Sequence, residues 1–268
     1  MIRWIWGSSL APKVHLFSGF AAAIAFYLML SLAPLLAVAI GLSVRFLPPD
    51  VTHNMARLVK EFIPPDTLLD VDAMVQTAEQ LSGDGFLTLT FAFALWSASG
   101  FTMQIVNALR LIFASPVAGE PRGWVNRLLA FLLLVLWSFP LLAAALLMLT
   151  GPAIETRLAQ TGQISGLALY LWPATRHGLA FLTLLAIFYL TYRVTSSNHY
   201  RKRLLFRAAL MTTAGWVALG FLYSRVLSGI WSASVLYGTL GGFIATLMWA
   251  YLSAWVVLLG ACYVVRSK

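Results

Sequence analysis

Between Gly85 and Leu109, the residues Thr90, Ser97, Gly100, Gln104 and Asn107 recur at spacings of 7, 3, 4 and 3. On a helix these positions share about a third of the circumference. Such a stripe has two uses. It can line a path for a polar or amphipathic substrate, or it can hydrogen-bond to a neighbouring helix and let the backbones approach closely. Arg193, Arg201, Lys202, Arg203 and Arg207 make the densest run of charge in the chain. Near a bilayer each such cation attracts anionic headgroups by about 1 kcal/mol, and the same run also serves as a topology anchor. Arg176, beside His177, and Arg225 are placed to meet an anionic group on the other side, or to snorkel from the ends of apolar runs. Gly238 and Gly242, with Gly241 between them, form a G-x-x-x-G suited to a close helix crossing or a hinge. Pro34 and Pro140 each remove a backbone hydrogen bond within an apolar run.

Hydrolytic chemistry asks for different residues. Cleaving RNA or an ester needs paired carboxylates, a metal cluster, or a nucleophile beside its base. His15, His53, His177 and His199 are scattered over separate segments, and most acids crowd into residues 45–84. Cys262 is the only cysteine and lies deep in an apolar run, so neither a disulfide framework nor a cysteine-based zinc site is expected. No catalytic residue, metal or cofactor is expected. The formal charge of +9 does not point to nucleic acid either, because binding there needs a basic face or stripe and these cations sit mostly at the ends of uncharged runs.

Those runs are the elements that must position everything else. Of the 268 residues, 60% are hydrophobic and 10% charged, against about 25% charged in soluble domains. Six uncharged runs mark membrane spans: Leu16 to Val44, Gly85 to Leu109, Leu128 to Ile154, Gly178 to Tyr192, Ala208 to Ser224 and Thr239 to Val265. The first is too long for the ~7 to 15-residue core of a signal peptide and reads as a retained span. The fourth is short, so it is expected to begin near Trp172-Pro173, with proline in the first helical turn. Twelve of the 18 Lys and Arg residues fall on the side holding both termini, the 110–127 loop and the 193–207 loop. The positive-inside rule then places both termini in the cytoplasm. The expected fold is an all-α integral membrane protein of six transmembrane helices, forming a single domain over residues 1–268.

The loop from Arg45 to Asp84 repeats a motif. Phe46-Leu47-Pro48-Pro49-Asp50 recurs as Phe62-Ile63-Pro64-Pro65-Asp66, each copy reading as a stop followed by an Asp N-cap. Two short amphipathic helices outside the membrane are expected there, which would cap the bundle, lie on lipid or bind an envelope protein partner.

Three groups of residues resemble the YihY/BrkB family of bacterial inner-membrane proteins. They are Ala21-Ala22-Ala23-Ile24-Ala25-Phe26-Tyr27 with Ser31-Leu32-Ala33-Pro34, then Trp96-Ser97-Ala98-Ser99, then Leu236-Tyr237-Gly238-Thr239-Leu240-Gly241-Gly242 with Trp249-Ala250-Tyr251-Leu252 and Leu258-Leu259-Gly260-Ala261. The resemblance implies a multi-pass inner-membrane protein with six helices and inner termini. Members have carried the label ribonuclease BN, others have been linked to virulence or serum resistance, and transport of envelope lipids has been suggested. Many members have a Trp-Glu pair in the fifth span, a Lys three residues on, and an acid after the last Gly-Ala. Here those positions read Trp216-Val217, Gly220 and Cys262, so charge-coupled transport by that route is not expected. The expected role is a transporter, or transport helper, for a lipid-like envelope component with membrane lipids as partners. The alternative is a scaffold that binds an envelope protein through residues 45–84.

Overall fold

Helix formation follows the apolar runs because backbone N–H and C=O groups have no water to bond in hydrocarbon and must satisfy one another within the segment. The computed structural model describes residues 14–46, 73, 76, 84–113, 124, 126–143, 166–196, 200–231 and 238–267. Its elements are α1 (Val14–Phe46), α2 (Asp84–Ile112), α3 (Asn126–Ala143), α4 (Gly166–Thr195), α5 (Lys202–Trp231) and α6 (Gly238–Arg266). Among the described residues there is no strand. All six helices are long and apolar enough to cross a membrane, which needs about 20 residues. Large apolar side chains also face outward: Phe139 is 71% exposed, Phe221 72% and Leu89 73%. Water would oppose that arrangement, and hydrocarbon accepts it. The amphipathic helices expected between Arg45 and Asp84 lie outside the described residues, apart from Ala73 and Gln76, which are helical.

Two expected boundaries are corrected. The fourth candidate span begins at Ala174, beside the expected Trp172-Pro173, but its helix α4 begins at Gly166, so Pro173 stands in the helix's interior instead of its first turn. The Leu167-Ala168-Leu169-Tyr170-Leu171 run carries the helix upstream on residues of good or moderate propensity. Helix α4 runs to Thr195 and helix α5 begins at Lys202, so most of the expected 193–207 loop is helical. Its inward positions explain this: Leu205, Ala208, Ala209, Thr212 and Thr213 are all buried, at the i, i+3, i+4, i+7, i+8 spacing of one helix face.

The chain divides into two compact units that share α2, α5 and α6. One comprises Met1–Ala108 and Ala218–Trp255. Within it Phe17, Ala21, Ile24 and Ala25 of α1 are buried, as are Ala94 and Ala98 of α2; small residues of this kind let membrane helices approach closely. Phe17 meets the Trp255 ring edge-on at 6.4 Å, and the Tyr223 hydroxyl donates to the Ala245 carbonyl. The other unit comprises Leu109–Val217 and Val256–Lys268. Here Trp137 Nε1 donates to Thr191 Oγ1 at 3.1 Å, tying α3 to α4. Phe113, at the end of α2, packs between Tyr192 and Tyr200 with ring centroids 6.2 and 5.4 Å away.

Candidate functional site

The polar stripe of α2 divides by environment. Ser97 is fully buried, and its hydroxyl donates to the Ala94 carbonyl of its own helix at 3.1 Å. Gly100 lies against the Tyr27 ring, where an added Cβ would stand 2.7 Å from Cδ1 and 2.9 Å from Cε1. This part of the stripe is a close contact between α1 and α2. Thr90 is half-buried at the other end. Gln104 and Asn107 are also half-buried, and the structure gives their amides no hydrogen bond. One turn beyond Asn107, Arg110 donates from Nη1 to Asn126 Oδ1 of α3.

Hinge and close-packing candidates are distributed along two helices. Pro34 lies inside a helix that continues to Phe46, and one turn earlier the buried Ser31 hydroxyl donates to the Leu28 carbonyl at 2.8 Å. Gly238, Gly241 and Gly242 form the first turns of α6. The Gly242 carbonyl accepts from Thr246 Oγ1 at 2.8 Å.

A feature that the sequence did not single out joins α4, α5 and α6. The fully buried Tyr192 hydroxyl donates to the Val257 carbonyl at 2.7 Å and lies 2.8 Å from Thr212 Oγ1. A phenol has one proton. With that proton committed to Val257, Thr212 must be the donor to Tyr192. Gly260 makes room for this knot, because a Cβ there would overlap both Thr212 Oγ1 and the Tyr192 hydroxyl. The Gly260-Ala261 pair was visible in the resemblance, whereas Tyr192 and Thr212 stand on separate helices at no telling interval.

The basic candidates occupy three settings. Arg201, Lys202 and Arg203 are exposed at the start of α5. Lys202, Arg203 and Arg207 line a groove of about 420 Å³ with Tyr189, Phe206 and Leu210. Tyr189 and Phe206 meet there edge-on at 6.2 Å, so the groove has an aromatic wall and a cationic rim. Arg225 is exposed near the far end of α5. Arg176, near the start of the fourth span, is half-buried, with Nε and Nη1 covered and given no hydrogen-bond partner. Among the described residues no three of His, Cys, Asp and Glu gather as metal ligands.

The six membrane-length helices among the described residues, with outward-facing Phe and Leu, define a multi-pass helical membrane protein. The chain belongs to the virulence factor BrkB family, whose sequence model matches residues 14–265. It is similar to ribonuclease-like protein YfkH of Bacillus subtilis (strain 168), with 28% identity over 240 residues that cover 90% of this chain and 86% of that one. No solved structure matches it.

Proposed function

We propose that this protein moves, or helps move, an anionic lipid-like component of the bacterial envelope across the inner membrane. The observation that carries the reading is Arg176. An arginine at the end of a span ordinarily stretches its guanidinium to the headgroup water. Here two of its nitrogens are covered and unbonded, and a buried charged donor without an acceptor costs several kcal/mol. Phosphate oxygens match the planar fork of a guanidinium and would supply the missing acceptors. Separately, in the other compact unit, the half-buried amides of Gln104 and Asn107 are polar groups held within a span, where polar side chains are costly and often functional.

The test is reconstitution of the full chain in vesicles of phosphatidylglycerol and phosphatidylcholine carrying a labelled phosphatidylglycerol or a lipid A precursor. Wild-type protein is expected to speed exchange between leaflets. Arg176→Gln should slow it on the order of tenfold, equivalent to about 1.4 kcal/mol, while Arg176→Lys keeps part of the rate. Folded protein that moves none of these lipids overturns the reading. The ribonuclease-like name of the Bacillus relative supplies the alternative, and RNA cleavage that tracks with purified wild-type protein would favour it.

A further inference from the structure

We propose that the groove at the junction of α4 and α5 is a binding site for an anionic phospholipid. Its headgroup phosphate sits on Lys202, Arg203 and Arg207, and its upper acyl chain lies along Tyr189, Phe206 and Leu210. This site is independent of the transport reading. Arg176 and Tyr189 are separated by 13 residues of α4, about 20 Å along the axis, and a protein that moves no lipid can still hold one.

The charge of the groove favours an anion. The groove is lined by three cations and no acid, and Asp84 is the only acid among all the described residues. Arg203 and Arg207 stand four apart on one helix, where like charges repel and destabilise the helix. No acid lines the groove to relieve this. An anion placed between them would. Lys202, Arg203, Phe206, Arg207 and Leu210 also fall within roughly 140° of the helix circumference, so cations and apolar groups face the same space.

The shape and polarity of the groove favour a lipid over a soluble anion. A volume of about 420 Å³ is within the range of small-molecule sites, which runs from about 300 to 1,000 Å³. A soluble phosphate would use the rim alone and leave the aromatic wall bare. Tyr189, Phe206 and Leu210 form a continuous apolar surface beside the cations, with Phe206 47% and Leu210 42% exposed. A phospholipid satisfies both surfaces, and basic pockets between membrane helices are known to take such headgroups. Two guanidiniums and an ammonium also suit two phosphates better than one, so cardiolipin should bind more tightly than phosphatidylglycerol.

The experiment uses the full chain in a neutral detergent, with lipid binding read by native mass spectrometry. Cardiolipin and phosphatidylglycerol should be retained at least fivefold over phosphatidylcholine. The K202Q/R203Q/R207Q variant should lose that preference, while R201Q, which removes an adjacent charge outside the groove, should keep it. Equal retention of phosphatidylcholine by wild-type protein overturns the proposal. So does a preference that survives the triple variant, or one that R201Q lowers as much as R203Q does, since diffuse surface charge would then be responsible. Millimolar inorganic phosphate that displaces cardiolipin completely would assign the rim to a free anion and overturn the lipid assignment. Circular dichroism and gel filtration verify each variant; should the triple variant misfold, R203Q and R207Q singly must each weaken cardiolipin retention severalfold or the proposal fails.

Discussion

Gly260 and Gly100 both lie on membrane helices pressed against tyrosines, yet they differ in what would have to yield. At Gly100 the obstacle is the side of the Tyr27 ring, which can tilt on its own χ angles. At Gly260 the obstacles are Thr212 Oγ1 and the Tyr192 hydroxyl, which are hydrogen-bonded to each other while Tyr192 is also held by Val257. Overpacking costs about 1–3 kcal/mol, and breaking a buried hydrogen bond adds about 1–3 kcal/mol more. Gly260→Ala is therefore expected to destabilise the protein by about 2–6 kcal/mol, and Gly100→Ala by the lower end of the overpacking cost alone, about 1 kcal/mol. Thermal unfolding in detergent measures both. Adding Thr212→Ala to Gly260→Ala should recover part of the loss, because it removes one of the two obstructing atoms and the sites are coupled. If Gly260→Ala unfolds no earlier than Gly100→Ala, the three-helix knot is not a determinant of stability.

Element boundaries show where the sequence was readable. Long uncharged runs located every span because charge at the centre of a bilayer is costly, and α1, α2 and α6 end within three residues of the expected limits. The start of α5 was obscured by the same rule, since Lys202, Arg203 and Arg207 read as loop charge. The spacing of Leu205, Ala208, Ala209 and Thr212 was the signal that would have extended it. For the stripe on α2, residue type disclosed polarity but not partner. The short Ser97 hydroxyl reaches the Ala94 carbonyl of its own helix, a local bond open to serine and threonine side chains that the longer Gln104 amide does not make. Between α4 and α5, Tyr200 donates its hydroxyl to the Phe113 carbonyl at 3.3 Å, satisfying a group at the end of α2 that the helix leaves unbonded. Burial raises the Tyr200 phenol above its usual value, which is about 10. A group whose folded pKa is raised contributes stability that is complete below the unfolded pKa and is lost as pH rises through the folded one. Tyr200→Phe should therefore destabilise the protein by about 0.5–1.5 kcal/mol at every pH from neutral to about 10, and the difference from wild type should shrink only in stronger alkali. Unfolding of both proteins across that range checks it; a difference that vanishes by pH ~8, well below the ordinary phenol value, removes the hydrogen bond from the account.

For the molecule as a whole, the distribution of charge orients the helices. Twelve of the 18 cations belong to the side carrying both termini, and an excess of Lys and Arg near span ends sets orientation. The described boundaries preserve the count, because Lys202, Arg203 and Arg207 remain at the start of α5 after joining the helix. Both termini should therefore lie in the cytoplasm. Cys262 makes the measurement clean, since it is the only cysteine in the chain and is buried. In a Cys262→Ala background, single cysteines at position 118 and after Lys268 should resist a membrane-impermeant maleimide in intact spheroplasts, and one at position 158 should react. The K202Q/R203Q/R207Q variant reduces the inner count from twelve to nine against six outside, so the same labelling pattern should persist. This prediction separates the lipid site from topology: a triple variant that loses cardiolipin while keeping its orientation has lost a ligand, whereas one that labels in reverse has lost the charge asymmetry that orients the chain. Reaction of the cysteine after Lys268 in the Cys262→Ala chain with Lys202, Arg203 and Arg207 intact would put the basic groove at the outer leaflet.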